Sequence, residues 1–277
     1  MQISLVMIAL YAGNQGQWLL AVTILILNGG AWCFWGWAGL GHEAYHKTLF
    51  RSARMNRSLF VFCGVITWSN YGYFSATHKR HHSRTLEATD PEDQSTKHVT
   101  AGELPFLFFF DVIGFAKRIE TLCLNSLGKL PNSRLDDLSP REKREIIRAA
   151  RVVLAFQASW FGFSFYGFRS ALLVALSTLA PWIFRFPNVL LERMQHLGGI
   201  RGSSSPFETT RTLILPRLLV WLYAGMNFHV EHHLYPFVPG YRLRRVNELI
   251  SSQHVLGQSL LGISEVARAV QSPWKRT

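Results

Sequence analysis

Three short strings hold most of the histidine in this chain: His42-Glu43-Ala44-Tyr45-His46, His78-Lys79-Arg80-His81-His82 and His229-Val230-Glu231-His232-His233. Neutral imidazole is a common metal ligand, and residues three or four apart share one helix face. His42 with His46, or His78 with His81 and His82, can therefore converge on a common centre. The first string is HExxH, two histidines one turn apart with a glutamate placed to activate water for hydrolysis. Adjacent histidines such as His81 and His82, or His232 and His233, diverge by about 100° around a helix. That divergence suits two metals lying side by side. With 11 histidines in 277 residues, chance supplies only about 0.02 copies of HxxHH, yet the chain has two.

A catalytic zinc takes three protein ligands and an octahedral ion at most six. The histidines of the three strings thus imply at least two metals. Imidazole serves iron, zinc, copper and nickel alike, so ligand type leaves the element open. A hydrolytic zinc site would use His42, Glu43 and His46 but would leave both HxxHH strings without a role. Cys33, Cys63 and Cys123 form no CxxC pair, so neither a disulfide framework nor a thiolate site is indicated.

The elements that must position these ligands are mainly apolar. Trp18 to Leu40 has no charged residue, enough helix to cross a hydrocarbon core of about 30 Å. Arg151 to Arg169 and Arg169 to Arg185 enclose two further uncharged runs, read as the arms of a helical hairpin. Ile3 to Ala12, too short to cross alone, reads either as an interfacial or partial helix or as belonging to a complete span that uses Asn14-Gln15-Gly16-Gln17 as its turn. Around Ser139-Pro140-Arg141-Glu142 a surface loop is expected to enter an amphipathic helix.

All ligands must lie on one side of the membrane to meet, so residues 58–74 and 213–228 are expected to be interfacial or re-entrant. Residues 104–116 are expected to lie flat in the interface. Lys and Arg exceed Asp and Glu, 29 − 17 = +12, and much of the excess flanks the histidines: Lys47, Arg51, Arg54, Arg57, Lys79, Arg80, Arg84, Arg242, Arg244 and Arg245. By the positive-inside tendency these flanks, and the metal site with them, are cytoplasmic. Basicity of this kind can also serve nucleic acid, but the apolar spans argue against such a partner.

The order HxxxH, HxxHH, HxxHH, with a long apolar segment before the last box, resembles the membrane fatty acid desaturase superfamily, including its hydroxylase and carotenoid ketolase relatives. The resemblance covers roughly residues 30 to 250. It implies an all-α integral membrane protein, one domain over 1–277, with transmembrane helices below a cytosolic helical cap that holds two irons. It further implies that reduced iron and dioxygen abstract hydrogen from an unactivated C–H bond of a lipid or other apolar chain.

Carried over by position, the resemblance makes His42, His46, His78, His81, His82, His229, His232 and His233 iron ligands. His196 in ERMQHLGG stands where relatives place a further ligand. Its HLGG is similar to the haem-binding HPGG of b-type cytochrome domains but lacks the proline. His98 and His254 lie outside every box and read as surface residues. Asp90, Glu92, Asp93, Glu192 and Glu231 are expected to accept the second N–H of ligating imidazoles, and Glu43 becomes such a residue or a surface charge. Trp32, Trp35, Trp68 and Phe74 can line an acyl channel but serve equally as packing or interface anchors.

The chain has no GxGxxG opening, no iron–sulfur cysteine set and no haem histidine pair, so electrons must come from an external donor. An acidic ferredoxin or a b-type cytochrome docking on the basic cap fits that need. The expected reaction is desaturation, with lipid or carotenoid hydroxylation or ketone formation as the alternative on the same scaffold. Membrane metalloproteolysis and metal transport stand further off. A transporter would place ionisable ligands inside its spans, whereas these lie in polar basic blocks.

Overall fold

The structure is a computed structural model that describes residues 2–93, 110–130, 133–168, 174–175, 178–183, 186–251 and 260–261. Helix dominates. His98, His254 and residues 104–109 lie outside the described residues, as does about half of the second hairpin arm.

Helix α1 (Gln2–Asn14) turns at Gly16, whose φ of 75° is a left-handed conformation open to glycine, and runs back along α2. The pair is welded by Val6, Ala9 and Leu10 against Ala21 and Leu25. The first apolar run is thus a helix that turns at the polar stretch, and its 13 residues are compatible with both readings. Helix α2 runs from Trp18 to Tyr45. It is α-helical to Ala31, widens into π-helical turns over Trp32–Gly41, and closes again over His42–Tyr45. Such widened turns recur at functional sites because they re-aim the residues that follow.

Helix α3 (Ala53–Ile66) starts at Ser52, whose Oγ accepts from Met55 N–H at 3.3 Å. After a turn with Trp68 at φ 58°, α4 (Tyr71–Ser83) starts at Asn70, whose Oδ1 accepts from Tyr73 N–H. At 14 residues α3 spans about 21 Å, too short to cross a bilayer core. Helices α5 (Val112–Ser126) and α6 (Pro140–Phe168) follow. The expected amphipathic helix and first hairpin arm are one continuous 29-residue helix, because nothing between Arg151 and Phe168 breaks the ladder. Its start is a reciprocal cap: Ser139 N–H donates to Glu142 Oε2 at 2.8 Å and Glu142 N–H to Ser139 Oγ at 3.2 Å.

Among the described residues, two helices, Trp18–Tyr45 and Pro140–Tyr166, are long and apolar enough to cross a membrane. Helix α6 is also the spine on which α3, α4 and α5 pack, through Ala149, Ala150 and Val153 against Phe60, Tyr71 and Leu122. Gly72 lets α4 press onto it, since a Cβ there would lie 2.7 Å from the Glu145 carbonyl oxygen. Buried Gln157 donates to the Val65 carbonyl at 2.6 Å and ties α6 to the end of α3.

The C-terminal part is a set of short pieces: α7 (Phe186–Met194), α8 (Pro206–Thr209), strand β1 (Thr212–Leu213), α9 (Arg217–Leu222), α10 (His229–Leu234) and α11 (Gly240–Ser251). Strand β1 pairs in parallel with Leu260–Leu261. Residues 213–228 hold the end of β1, the six-residue α9 and turns, again no crossing. Leu191, Met194, Leu213, Tyr223, Met226 and Leu243 form the core that holds these pieces together.

Candidate metal centre

Helix α4 presents its histidines inward because the opposite face is pinned to α6. Arg80, between the ligating positions, is buried; it donates to Asp137 Oδ1 at 2.7 Å, Glu142 Oε1 at 3.0 Å and the Ala76 carbonyl. Arg80 is therefore a structural cation rather than part of an exposed basic cap. Arg84 is only partly exposed and lies 3.6 Å from Asp137, while Arg57 pairs with Glu145.

The nine expected histidines fall into two clusters. His42, His46, His78, His82 and His232 form one, and His81, His196, His229 and His233 the other, with the ligand atoms in each within 4.8 Å of one another. Each adjacent pair divides between them: His82 and His232 face the first cluster, His81 and His233 the second. Residues four apart stay together, as His42/His46, His78/His82 and His229/His233 do. The fifth ligand of one cluster comes from α10, far along the chain from α2 and α4.

The atoms that converge in the first cluster are Nε2. His78 Nε2 lies 2.8 Å from that of His42, 3.2 Å from His46 and 3.1 Å from His82, and His232 Nε2 lies 3.1 Å from His82. In the second cluster His229 Nε2 is 3.1 Å from His196 Nε2 and 3.2 Å from His233 Nε2. Hydrogen bonding among the rings cannot account for this. His78 gives its Nδ1–H to Glu92 Oε2 at 2.9 Å, leaving Nε2 one lone pair facing three neighbours. A shared cation resolves the crowding. Bonds of about 2.1 Å put neighbouring donors of an octahedral ion about 3.0 Å apart, which the observed separations match.

Electrostatics agree with neutral, ligating rings. Burial first, and then the neighbouring imidazoles, holds His78, His229, His232 and His233 well below the usual histidine range and brings His196 to about 3. His81 moves the other way. Burial lowers it, but its hydrogen bond to Asp90 and the nearby carboxylates of Glu92 and Asp93 outweigh that and raise it.

Outer partners orient four rings. Asp90, fully buried, accepts from His81 Nδ1 at 2.9 Å, and Glu92 accepts from His78 Nδ1 and from Thr77 Oγ1 at 2.5 Å. His196 Nδ1–H donates to the Thr209 carbonyl at 3.1 Å, and His233 Nδ1–H to Thr85 Oγ1 at 3.3 Å. Each leaves Nε2 free to face the cluster. Thr85 and Thr209 were not legible in the sequence: a hydroxyl and a backbone carbonyl carry no motif.

The remaining carboxylates do other work. Glu231, expected to serve a ligand, instead accepts from Thr212 Oγ1 at 2.5 Å and Asn247 Nδ2 at 2.6 Å. Its side chain leaves α10 on the face away from His232, so it latches α10 to β1 and α11. Glu43 likewise accepts from Gly240 N–H at 2.8 Å and Thr48 Oγ1 at 3.0 Å. The carboxylate of HExxH thus sits at the first residue of α11. Asp93 pairs with Arg201 at 2.7 Å, and Glu192 accepts from Asn188 Nδ2 at 3.0 Å.

A cavity of about 380 Å³ opens onto both clusters, with His42 and His78 of the first and His81, His196 and His229 of the second in its wall. Trp37, Phe74, Tyr223 and Met226 supply the apolar lining, and Glu92, Arg118, Glu192 and Gln195 the polar one. Phe74 stacks on His78 with centroids 4.7 Å apart. Trp68 turns away and donates to the Thr178 carbonyl, and Trp32 packs on Phe62. Trp37, not singled out in the sequence, sits inside the widened turns of α2 that aim it at the cavity.

Comparison with known proteins fits this arrangement. The chain is 25% identical over 265 residues to Fatty acid desaturase 3 of Bos taurus, covering 84% of this chain and 55% of that protein. It is 23% identical over 221 residues to Fatty acid desaturase of Bacillus subtilis (strain 168), covering 75% and 62%. The chain thus spans a little over half the length of these relatives. The sequence model of the family described as Fatty acid desaturase matches residues 16–261, a stretch that takes in all nine clustered histidines. By that match the chain belongs to the fatty acid desaturase family.

Proposed function

We propose that this protein is an oxygen-dependent, membrane-embedded lipid desaturase that introduces a double bond into an apolar chain. The observation that carries the reading is the pairing of a five-histidine and a four-histidine cluster around one cavity. His42, His46, His78, His82 and His232 would hold one iron, and His81, His196, His229 and His233 the other. When bound, the iron pair supplies the redox chemistry with dioxygen that removes hydrogen from an unactivated C–H bond.

The chain's own residues do the rest. Asp90, Glu92, Thr85 and the Thr209 carbonyl fix ring tautomers, so that the donors are set before the ions arrive. Trp37, Phe74 and Met226 form an apolar wall beside the ligands, where a methylene segment can lie with water excluded. Most of the ligands are buried, and His46, His82 and His233 half-buried, which limits the access of water to the site. Helices Trp18–Tyr45 and Pro140–Tyr166 would cross the membrane, with the metal site on the cytoplasmic side by the positive-inside tendency. Electrons would come from a ferredoxin or a b-type cytochrome. Its docking would use the exposed cations Lys47, Arg51, Arg54 and Lys79 together with Arg242 and Arg245 of α11.

A zinc protease is disfavoured by the Glu43 carboxylate, which serves Gly240 and Thr48. The test is expression in a host with a suitable donor, followed by mass spectrometry of the lipid extract. Loss of two hydrogens from a lipid supports desaturation. Gain of one oxygen would assign hydroxylation instead, and gain of one oxygen with loss of two hydrogens, ketone formation.

A further inference from the structure

Arg211 is a buried cation to which neither the histidine strings nor the basic flanks give a part. It stands between α8 and β1, at the base of the loop that begins at His196. The end of four-residue α8 leaves carbonyls with no partner inside the helix. Arg211 takes two of them: its Nη1 donates to the Thr210 carbonyl at 2.7 Å and to the Glu208 carbonyl at 3.2 Å. Thr209 lies between those two residues, and its own carbonyl accepts from His196 Nδ1 at 3.1 Å.

The same residue holds the other end of the loop. Arg211 N–H donates to the Gln195 carbonyl at 2.7 Å and Nη2 to the Gly198 carbonyl at 2.5 Å, so His196 is bracketed on both sides by bonds to one residue. The side-chain partners of Arg211 are all main-chain carbonyls, and among the described residues no carboxylate pairs with it. A guanidinium taken from water without a counter-ion is costly. Its shape suits this place, because a planar fork directs N–H groups to several fixed acceptors where an ammonium offers donors from one point. The loop also packs on the segment after the second histidine string. A Cβ on Gly199 would collide with Leu86 Cδ1 and lie 2.8 Å from the Thr209 carbonyl oxygen. Leu86 N–H is held in turn by Asp90, the partner of His81.

We propose that Arg211 is a positioning residue of the four-histidine centre. Its guanidinium clamps the carbonyls on either side of Thr209 together with that of Gly198, which fixes the direction of the Thr209 carbonyl and, through it, the ring of His196. Loss of the clamp therefore loosens that centre, to which His196 and His81 both belong. The five-histidine centre takes its ligands from α2, α4 and α10 and none from this loop. This role rests on the two-centre metal reading given above.

The test uses the full chain in detergent, loaded anaerobically with ferrous iron, with neither lipid substrate nor dioxygen present. Mössbauer spectra read the environment of each ion, and competition with a chelator reads its affinity. Arg211→Lys keeps the charge but not the fork, and Arg211→Met keeps neither. One ion should be held about tenfold less tightly in Arg211→Lys and about 100-fold less in Arg211→Met, the range for a ligating imidazole that loses its partner. Its ferrous signal should shift while the other stays at the parental position. Asp90→Asn, which acts on His81, marks which ion belongs to the four-histidine centre. The second ion is the internal control for folding. Equal weakening of both ions, weakening of the other ion alone, parental affinity in both variants, or full rescue by lysine would each overturn the positioning role. A parent that takes up no second ion would defeat the two-centre reading and this role with it. A reaction other than desaturation would leave the role standing.

Discussion

Replacing Asp90 by asparagine separates the two metal sites. The Asp90 carboxylate is fully buried and accepts three N–H groups: His81 Nδ1 and Leu86 N on Oδ2, each at 2.9 Å, and Glu92 N on Oδ1, also at 2.9 Å. Asparagine keeps the shape but turns one oxygen into a donor. With its oxygen kept toward His81 and Leu86, its NH₂ faces the Glu92 N–H and leaves that donor unsatisfied, a loss of about 1–3 kcal/mol. The two surviving bonds fall from charge-assisted to neutral, worth about 1 kcal/mol each. The local loss is then on the order of 3–5 kcal/mol, and it falls on the loop that orients His81.

Because His81 belongs to the four-histidine cluster, metal affinity there should drop about 10–100-fold, the usual effect of removing the partner of a ligating imidazole. The five-histidine cluster should hold its ion. Glu92→Gln should do the opposite, since Glu92 serves His78. The assay is iron content per chain, with the kinetics of iron loss to a chelator followed in both variants. Asp90→Asn should show one fast-leaving and one slow-leaving ion. Loss of both ions at one rate, or retention of both with parental kinetics, would refute the division of the histidines into two sites.

Three further outcomes follow from the same contacts. His81→Ala and His232→Ala should each abolish product, with iron falling from a different cluster in each; turnover retained in either variant would contradict the ligand assignment. Glu43→Gln should keep the metal content of the parent while stability falls by about 1–2 kcal/mol, because the bond to Gly240 loses its charge; thermal unfolding with metal analysis checks both. Gly240→Ala should be far worse, since the added Cβ would lie 2.1 Å from the Ala224 carbonyl oxygen, inside any allowed contact. Overpacking of this kind costs about 1–3 kcal/mol or more, read as reduced folded yield and a lowered midpoint.

Much of the centre could be read from the chain alone because its logic is local. Residues four apart face one way and adjacent residues diverge, so the HxxHH strings point to two groups of imidazoles before any fold is known. The acidic segment after the second box was legible for the same reason, with Asp90 and Glu92 close enough in sequence to reach His81 and His78. Proximity in sequence was a poorer guide for Glu43 and Glu231. Each neighbours a ligand in sequence, yet a helix sends adjacent side chains to different faces, and these two accept hydrogen bonds from other partners. Counting cations overstated the basic cap for a similar reason, since Arg80 is buried against Asp137 and Glu142.

The amino-acid sequence by itself determined the residue type that crowds the site, the helical spacing of those histidines and the apolar runs that carry them. The distribution of those ligands between two centres required α10 to meet α2 and α4, with His232 reaching His82 across 150 positions of chain. Such a contact is set by the packing of α6 and the C-terminal pieces, and no periodicity encodes it. The same holds for Glu43. HExxH states which residues stand together on a turn, but the direction of that carboxylate is decided by what the rest of the chain places beside it, and here that is the backbone N–H of Gly240.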